Sequence, residues 1–374
     1  MPDKIKILIA PNSMKGSLNA FAFSDTIEEA FMDCSENFET RKIPVADGGD
    51  LTGEILAKSL NAVSQEVEVR GPLGKKVSAK YAVADKRAII EMADASGMKL
   101  VNTSELNPML ASSFGTGELI RHAVQNACSE IYLAIGGSAT VDGGLGMMRA
   151  LGFVLLDKND NELEGKGEDL SKLMDIVPLS TLDSVNIRII CDVDNPLLGQ
   201  WGAAKVFGPQ KGATPEMVGK LEKGLQNLSE ILFQKTGKDL RDLKGAGAAG
   251  GISLPLLAFG NAEIVAGADF VLKQLGFEEA VRRADLVITG EGKLDSQTLN
   301  NKAPFAVARI ARKYNKPVIA IAGKVEEEAS EAFDGIFTLV SGPVSPEQAM
   351  QQAKQLTYRA SYELAKMINR LTQV

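Results

Sequence analysis

The sequence alternates between short apolar segments and segments of helical periodicity, and this alternation constrains the fold more than any other feature. Each apolar segment is flanked by Gly, Pro or Asp, which is typical of a buried parallel strand. The predicted strands are residues 5–10, 42–46, 131–135, 185–191, 285–289, 317–322 and 335–340. Helical faces follow Ser17, interpreted as an N-cap, and Thr116. Strands that alternate with helices predict right-handed crossovers and a mainly parallel sheet covered by helices on both faces.

Residues 65–98 interrupt this alternation and predict an antiparallel segment of extended pieces joined by turns. The extended pieces are 65–70, 77–84 and 87–93. The parts of the chain outside 65–283, residues 1–64 and 284–374, supply five strands. We therefore expect an α/β fold in which a flavodoxin-like, doubly wound parallel sheet is interrupted by a second, inserted α/β domain at 65–283. A ligand is expected in the cleft between the two domains.

Charge and composition exclude several classes of function. The 374 residues carry a formal net charge of −7 without a basic tail, which argues against nucleic acid or an anionic membrane as the main partner. A stretch of about 18 apolar residues and a signal-type start are both absent, and the three cysteines are widely spaced, so a cytoplasmic protein with reduced thiols is expected. A single histidine, His122, leaves the chemistry to carboxylates, lysines, hydroxyls and backbone amides.

The most distinctive motif is a glycine loop, residues 134–146, which follows a predicted strand and leads into a predicted helix. It contains five glycines, two hydroxyls and one carboxylate, and this composition predicts an anion cradle of backbone N–H groups. The chain contains no GxxxxGK[ST] sequence, so this is not a P-loop. The candidate binding residues are Gly136, Gly137, Ser138, Thr140, Asp142, Gly143 and Gly144. A tight strand-to-helix connection is the alternative, but it would not need so many glycines.

Two further motifs lie in the predicted inserted domain. Asp192 and Asp194 follow a strand and are two residues apart, so in an extended segment both could hold Mg²⁺ or accept a proton from a hydroxyl. The alternative is a capped turn with solvated acids. Lys211, between two glycines, could reach a phosphate or could be exposed.

Three motifs lie at predicted strand ends of the outer domain. Ser13 and Lys15 belong to a loop where a helix begins, and Lys15 could bind a carboxylate or phosphate or could be a solvated lysine in a turn. Asp47 precedes two glycines, a pattern that suits a site but also an ordinary turn. The third motif places Glu291, Lys293 and Asp295 together, and the alternative there is a salt-bridged loop.

Two features are discounted. Residues 245–250 match GxGxxG, but no buried strand precedes them, so a helix start of small residues packed against a neighbour is the better interpretation. His122 lies on the polar side of its predicted helix and is expected to be exposed.

In this order the motifs resemble the glycerate kinase family that is unrelated to P-loop kinases. The resemblance covers roughly the first 325 residues and rests on APNSMKGSLNA, VADGGD, SSFGTGELI, IGGSATVDGGLGM, CDVDNPLLG, VFGPQKGAT, GAGAAGG and VITGEGKLDSQT. It implies phosphorylation of D-glycerate by ATP with Mg²⁺, most often to 2-phosphoglycerate. The resemblance also implies a fold similar to the one expected above.

The residue types and the resemblance together imply roles for the candidate residues. Asp192, Lys15 and Asp295 would be catalytic, with Asp192 accepting the proton of the glycerate hydroxyl, and Mg²⁺ would be held by Asp192, Asp194 and Asp295. Substrate contacts are implied for Asp47, Ser13, Lys211, Glu291 and Lys293. The glycine loop would bind the phosphates of ATP or another anion, and the assignment of ATP and glycerate to particular loops stays open.

The chain departs from the family pattern at several positions, of which two matter. Asn12 stands where the family usually has Asp, and Leu51 where it commonly has Gly. Three other functions stay open: a glycerate 3-kinase giving 3-phosphoglycerate, a nonenzymatic sensor of sugar acids, and an NAD-dependent oxidoreductase suggested only by GAGAAG. The sequence permits a homodimer without settling the oligomeric state.

Overall fold

The structure is a computed structural model that describes residues 4–49, 51–178, 182–295, 302–340 and 342–372. The chain divides into two compact units. Unit 1 comprises Met1–Ile55 and Ala266–Val374, and unit 2 comprises Leu56–Val265. None of the helices in the described ranges combines the length and the apolar character needed to cross a membrane.

Strands and helices alternate along most of the chain. The strands are β1 (Ile5–Pro11), β2 (Phe38–Lys42), β3 (Val63–Arg70), β4 (Lys76–Ala84), β5 (Arg87–Glu91), β6 (Glu130–Ala134), β7 (Phe153–Leu156), β8 (Asp175–Pro178), β9 (Leu182–Cys191), β10 (Gly260–Ala266), β11 (Leu286–Leu294), β12 (Val318–Val325) and β13 (Gly335–Thr338). The helices are α1 (Ala20–Cys34), α2 (Thr52–Ser59), α3 (Ala93–Ser96), α4 (Phe114–Gln125), α5 (Leu145–Ala150), α6 (Ala203–Phe207), α7 (Pro215–Thr236), α8 (Ser253–Phe259), α9 (Gly267–Gln274), α10 (Phe277–Arg283), α11 (Ala303–Lys313), α12 (Pro346–Gln351) and α13 (Ala353–Leu371).

Unit 1 is built on a five-stranded parallel sheet in the order β13-β12-β11-β1-β2. Numbered within the unit, this order is 2-1-3-4-5, the flavodoxin-like order, so the expected fold class is confirmed. Side chains of β1 alternate between two buried layers: Ile7 and Ile9 pack with α1 and α13, whereas Leu8 and Ala10 pack with α9, α10 and α11. Helices therefore cover both faces of the sheet.

The strand expected at 42–46 lies earlier in the chain, as β2. This strand is at the edge of the sheet and reads Phe-Glu-Thr-Arg-Lys, so it lacks the apolar run that marks the central strands. The apolar residues that follow it still bond to the neighbouring strand: Ile43 N–H donates to Ile9 O at 2.8 Å and Val45 N–H to Pro11 O at 3.0 Å.

The junctions of the two units differ from the expected boundaries at 64 and 284. The chain passes into unit 2 after Ile55 and returns to unit 1 at Ala266. The earlier return to unit 1, at Ala266 and not at 284, has a clear cause. Helices α9 and α10 bury Leu272, Phe277 and Val281 in the core of the five-stranded sheet. The sequence identified unit 1 by its strands and so missed these helices.

Unit 2 contains a six-stranded mixed sheet in the order β10-β9-β6-β5-β4-β3. The pairs β3–β4 and β4–β5 are antiparallel, at the extended pieces expected in residues 65–98, and β5–β6 and β6–β9 are parallel. Strands β7 and β8 form a separate antiparallel pair. One large apolar core joins this sheet to α4, α5, α7 and α8.

Two local expectations differ from the structure, and a third position, Leu51, has an unusual backbone conformation. The N-cap of α1 is Asn19, whose side chain accepts from the N–H of Ala22, and Ser17 lies in the preceding turn. His122 is half-buried, since its Nδ1 lies 2.9 Å from the hydroxyl of Tyr81 on β4. Leu51 has a positive φ of 65°, a conformation that glycine adopts without steric cost.

Candidate active site

The glycine loop begins at the carboxyl end of β6 and runs inward from the surface of unit 2. Gly137 is exposed and Gly136 half-buried, whereas residues 138–146 are buried. The loop is fastened to the segment after α3, because Met98 N–H donates to Gly137 O and Ala139 N–H to Ser96 O, both at 2.9 Å. Only the first part of the loop therefore faces solvent.

Asp142 organises the buried part of the loop. Its side chain has no exposed surface, and one carboxylate oxygen accepts from both the N–H and the hydroxyl of Ser113 at 2.7 Å. The carboxylate also accepts from the N–H groups of Gly144 at 3.1 Å and Gly146 at 3.3 Å. Burial raises the pKa of Asp142, and these hydrogen bonds oppose that rise. The amides of Gly144 and Gly146 are thus occupied within the protein.

The GxGxxG-like segment 245–250 supports the loop from the other side. Gly143 N–H donates to Gly250 O at 3.0 Å. A Cβ on Gly250 would lie 2.2 Å from Thr140 O, and a Cβ on Gly247 would lie 2.1 Å from Pro196 O, so these glycines allow close approach of the backbone. Their role in the structure is packing, as the sequence indicated.

Lys211 lies beneath the loop. Its side chain is 2% exposed, and Nζ donates to Ser138 Oγ and to Thr140 O, both at 2.7 Å. Burial lowers the pKa of Lys211 to about 7, although the negative charge of Asp142 opposes the shift. The side-chain hydroxyl of Thr140 is also buried and has no hydrogen-bond partner among the described residues.

The two aspartates after β9 differ in their surroundings. Asp192 is half-buried, whereas Asp194 is exposed and lies 3.4 Å from Lys244. The neighbouring Cys191 is buried, and burial raises the pKa of its thiol to about 12. Cys191 is therefore a neutral thiol, and the charges described at this strand end are those of Asp192, Asp194 and Lys244.

In unit 1, Asp47 lies in a compact polar cluster at the carboxyl end of β1. Asn12 Nδ2 donates to Asp47 Oδ2 at 3.4 Å, and Lys302 Nζ lies 3.4 Å from the same oxygen. Ser13 N–H donates to Asn12 Oδ1, and Ser13 Oγ accepts from the first amide of α1. Lys15 is exposed on the same loop.

The motif after β11 is an ion-pair network. Lys293 Nζ lies 2.9 Å from Asp295 and 2.9 Å from Glu326, and these carboxylates raise the pKa of Lys293. The network arises because β11 and β12 stay paired beyond the buried part of the sheet, up to Leu294. Glu291 is half-buried at the same edge.

The structure thus gathers the candidates into separate groups within each unit. Three partners were not singled out from the sequence: Ser113, Lys302 and Glu326. Ser113 does belong to the family-like block SSFGTGELI, and Lys302 follows the last block, VITGEGKLDSQT, by four residues. Within the described ranges, no three His, Cys, Asp or Glu side chains are grouped so that they could hold a metal ion. The part of the GEGKLDSQT motif from residue 296 to 301 lies outside the described residues.

The doubly wound sheet of unit 1 and the glycine loop of unit 2, with a buried lysine beneath it, define a two-unit α/β protein whose glycine loop is not a P-loop. The family model described as the glycerate kinase family matches residues 7–369. The chain therefore belongs to the glycerate kinase family.

Similar proteins support this assignment over nearly the whole length. A glycerate kinase of Bacillus subtilis (strain 168) is 42% identical over 97% of this chain and 98% of its own length. A glycerate 2-kinase of Escherichia coli (strain K12) is 40% identical over 96% of this chain and 97% of its own. A crystal structure provisionally assigned as glycerate kinase 2 from Salmonella typhimurium LT2 matches with a TM-score of 0.87 and 40% identity, covering all of both chains.

Proposed function

We propose that this chain is an ATP-dependent kinase that phosphorylates D-glycerate, giving 2-phosphoglycerate with the help of Mg²⁺. The observation that carries the proposal is the arrangement of the glycine loop in unit 2, in which buried Lys211 donates to Ser138 and Thr140. The position of transfer is supported by the name of the Escherichia coli relative, a glycerate 2-kinase. A cytoplasmic location is proposed with it, supported by the free thiols Cys34, Cys128 and Cys191.

The loop offers several donors to an anion. Gly136 and Gly137 carry backbone N–H groups at the least buried part of the loop, and within the described residues the Thr140 hydroxyl has no hydrogen-bond partner. Phosphoryl transfer is accelerated mainly by positioning and by neutralising charge, so such a set of donors suits a phosphate or a carboxylate. We therefore narrow the ligand-binding part of the loop to residues 136–140, and we assign Asp142, Gly143 and Gly144 to its support.

Asp192 is proposed to orient the glycerate hydroxyl and to accept its proton. It is half-buried at the carboxyl end of β9, the edge where parallel sheets present catalytic groups. Asp192 and Asp194 fit Mg²⁺, which in nucleotide sites is commonly held by one or two carboxylates together with phosphate oxygens. When bound, Mg²⁺ would supply charge neutralisation for the transferred phosphoryl group.

The edge of unit 1 is proposed to bind polar groups of a substrate. Asp47 is an acceptor for hydroxyls, and Lys302 beside it, together with exposed Lys15, supplies positive charge. Glu291, Ser13 and the Lys293–Asp295 pair stay candidates at this edge. Because Asp295 is already paired with Lys293, we place it second to Asp192 as a metal ligand and as a catalytic group.

The first test is a coupled assay of ADP release with Mg·ATP and D-glycerate. We expect glycerate-dependent turnover and, by NMR of the product, phosphorus coupled to the proton on carbon 2. Folded protein without glycerate-dependent ADP release would overturn the kinase proposal. A product phosphorylated on carbon 3 would overturn only the position.

The second test addresses Asp192. Asp192→Asn should lower kcat by about 10²-fold or more, as expected for loss of a proton acceptor. Asp160→Asn is a matched control, because Asp160 is exposed in the same unit and its positive φ of 60° suits asparagine. A near-normal kcat for Asp192→Asn would move the proton acceptor to another carboxylate.

A further inference from the structure

Lys211 has an unusual environment for a lysine expected to bind substrate. The side chain is 2% exposed, and two of its three possible donors are directed to the glycine loop, to Ser138 Oγ and Thr140 O at 2.7 Å. These contacts bridge segments that are 73 and 71 residues apart in sequence. The ammonium group is therefore fixed from inside the protein, beneath the ligand-binding part of the loop.

We propose that Lys211 is a positioning residue, which acts on the substrate through the glycine loop and not by direct contact. The bond to Ser138 uses a lone pair of its hydroxyl oxygen and leaves the O–H free to donate to a ligand. The bond to Thr140 O fixes the peptide group next to the unpartnered Thr140 hydroxyl. Lys211 thus orders the Ser138 hydroxyl and the peptide group of Thr140 at once. This role depends on the proposed function only for the identity of the ligand that the loop binds.

The local sequence explains how a lysine can be held at this depth. Lys211 ends the short 3-10 helix Pro209–Lys211 and is followed by Gly212, which has a φ of 89°. A Cβ on Gly212 would lie 2.2 Å from Leu106 O, so any other residue there would push the segment away. The backbone next to Lys211 therefore packs closely against the segment around Leu106, and the Lys211 side chain extends from there to the glycine loop.

Asp142 is the charged neighbour of the buried amine, and its negative charge favours the protonated form. Asp142 is the carboxylate that acts on the Lys211 ammonium, and it fastens the next part of the same loop through Ser113, Gly144 and Gly146. One buried lysine and one buried aspartate therefore hold two successive parts of a single loop. A lysine that neutralised substrate charge directly would instead need its ammonium at the solvent-facing part of the loop, near Gly136 and Gly137.

Hydrogen–deuterium exchange of the protein without substrates tests the role directly. In Lys211→Met, which keeps the apolar stem and removes the donors, the peptide covering residues 136–146 should exchange at least about 10-fold faster than in the wild type. Lys211→Gln keeps an N–H donor without the charge and should restore part of the protection. Lys220→Met is the matched control, since Lys220 is an exposed lysine of α7 and its loss should leave the loop unchanged.

Steady-state kinetics then separates positioning from direct charge neutralisation. Lys211→Met should raise KM about 10- to 100-fold for the one substrate that the loop binds, with a smaller change in kcat, and Lys211→Gln should recover part of the loss. Wild-type exchange of the loop in Lys211→Met would overturn the proposal, as would equal loss of activity in the Met and Gln variants. If the wild type itself shows no turnover, the kinase proposal fails, but the exchange result still decides the role of Lys211.

Discussion

The buried amine of Lys211 should make the stability of unit 2 depend on pH between about 7 and 10.5. Burial lowers its pKa from 10.5 to about 7, so between these values the unfolded chain binds a proton that the folded chain does not. Unfolding then takes up protons, and the free energy of unfolding rises as the pH rises from about 7 to 10.5. The test replaces Lys211 by methionine, which cannot titrate.

The size of the effect follows from the difference in pKa. One pKa unit corresponds to about 1.36 kcal/mol, so the lowered pKa corresponds to roughly 5 kcal/mol across the full window. Between about pH 6 and about pH 9, the wild type should gain roughly 3 kcal/mol relative to Lys211→Met. Loss of the ammonium also raises the pKa of buried Asp142 further, and this change adds to the difference in the same direction.

Urea unfolding followed by far-UV circular dichroism at several pH values measures this difference. The hydrogen bonds lost in Lys211→Met shift its whole curve but not its pH dependence, so the slope of the difference is the informative quantity. Lys220→Met, which removes an exposed lysine, should follow the wild-type profile. Parallel profiles for the wild type and Lys211→Met would refute the reasoning, because they would mean that Lys211 titrates alike in the folded and unfolded chains.

Two further substitutions test the surroundings of the loop and of Asp47. Gly250→Ala places a Cβ 2.2 Å from Thr140 O at a backbone φ of 73°. The free energy of unfolding should therefore fall by at least about 1 kcal/mol, and the substrate bound by the loop should bind more weakly. Gly219 lies on α7, where an added Cβ would have nothing within 4 Å, so Gly219→Ala should instead raise the free energy of unfolding by about 0.5–1 kcal/mol. Thermal melts of both variants measure these changes, and destabilisation by Gly219→Ala would contradict the packing argument. Asn12→Asp should put a second carboxylate against Asp47 and lower the free energy of unfolding by about 1 kcal/mol at low ionic strength, with less effect at high salt, which screens the repulsion. An equal effect at both salt concentrations would contradict that reasoning.

The sheet of unit 1 could be predicted from sequence because its central strands are buried on both faces. Such strands are continuous apolar runs, and the loops at their carboxyl ends carry the polar motifs. The same rule missed β2, whose polar edge-strand sequence has no such run. It also assigned α9 and α10 to the wrong side of a boundary, because helical periodicity shows that a helix has a buried face but not which sheet that face covers.

The candidate residues were identified by composition, but their roles depend on contacts between distant segments. From the sequence, Lys211 could be either exposed or near a phosphate. In the structure its ammonium is buried and donates to Ser138, which lies 73 residues earlier in the chain. For Lys293 the structure shows the salt-bridged loop that was the alternative, and its second partner, Glu326, comes from the adjacent strand. Pairings of this kind cannot be obtained from spacing along one chain.

The glycine loop combines two requirements that composition alone could not separate. Its first glycines, Gly136 and Gly137, are the least buried residues of the loop, whereas those at 143, 144 and 146 fit against neighbouring segments and close around Asp142. Substitutions in the first part should therefore change substrate binding while the unit stays folded. Substitutions in the second part should first cost stability, since the buried carboxylate would lose its donors. We therefore propose that the first part of the loop is the binding surface and the second part its folded support, with Lys211 beneath the first part.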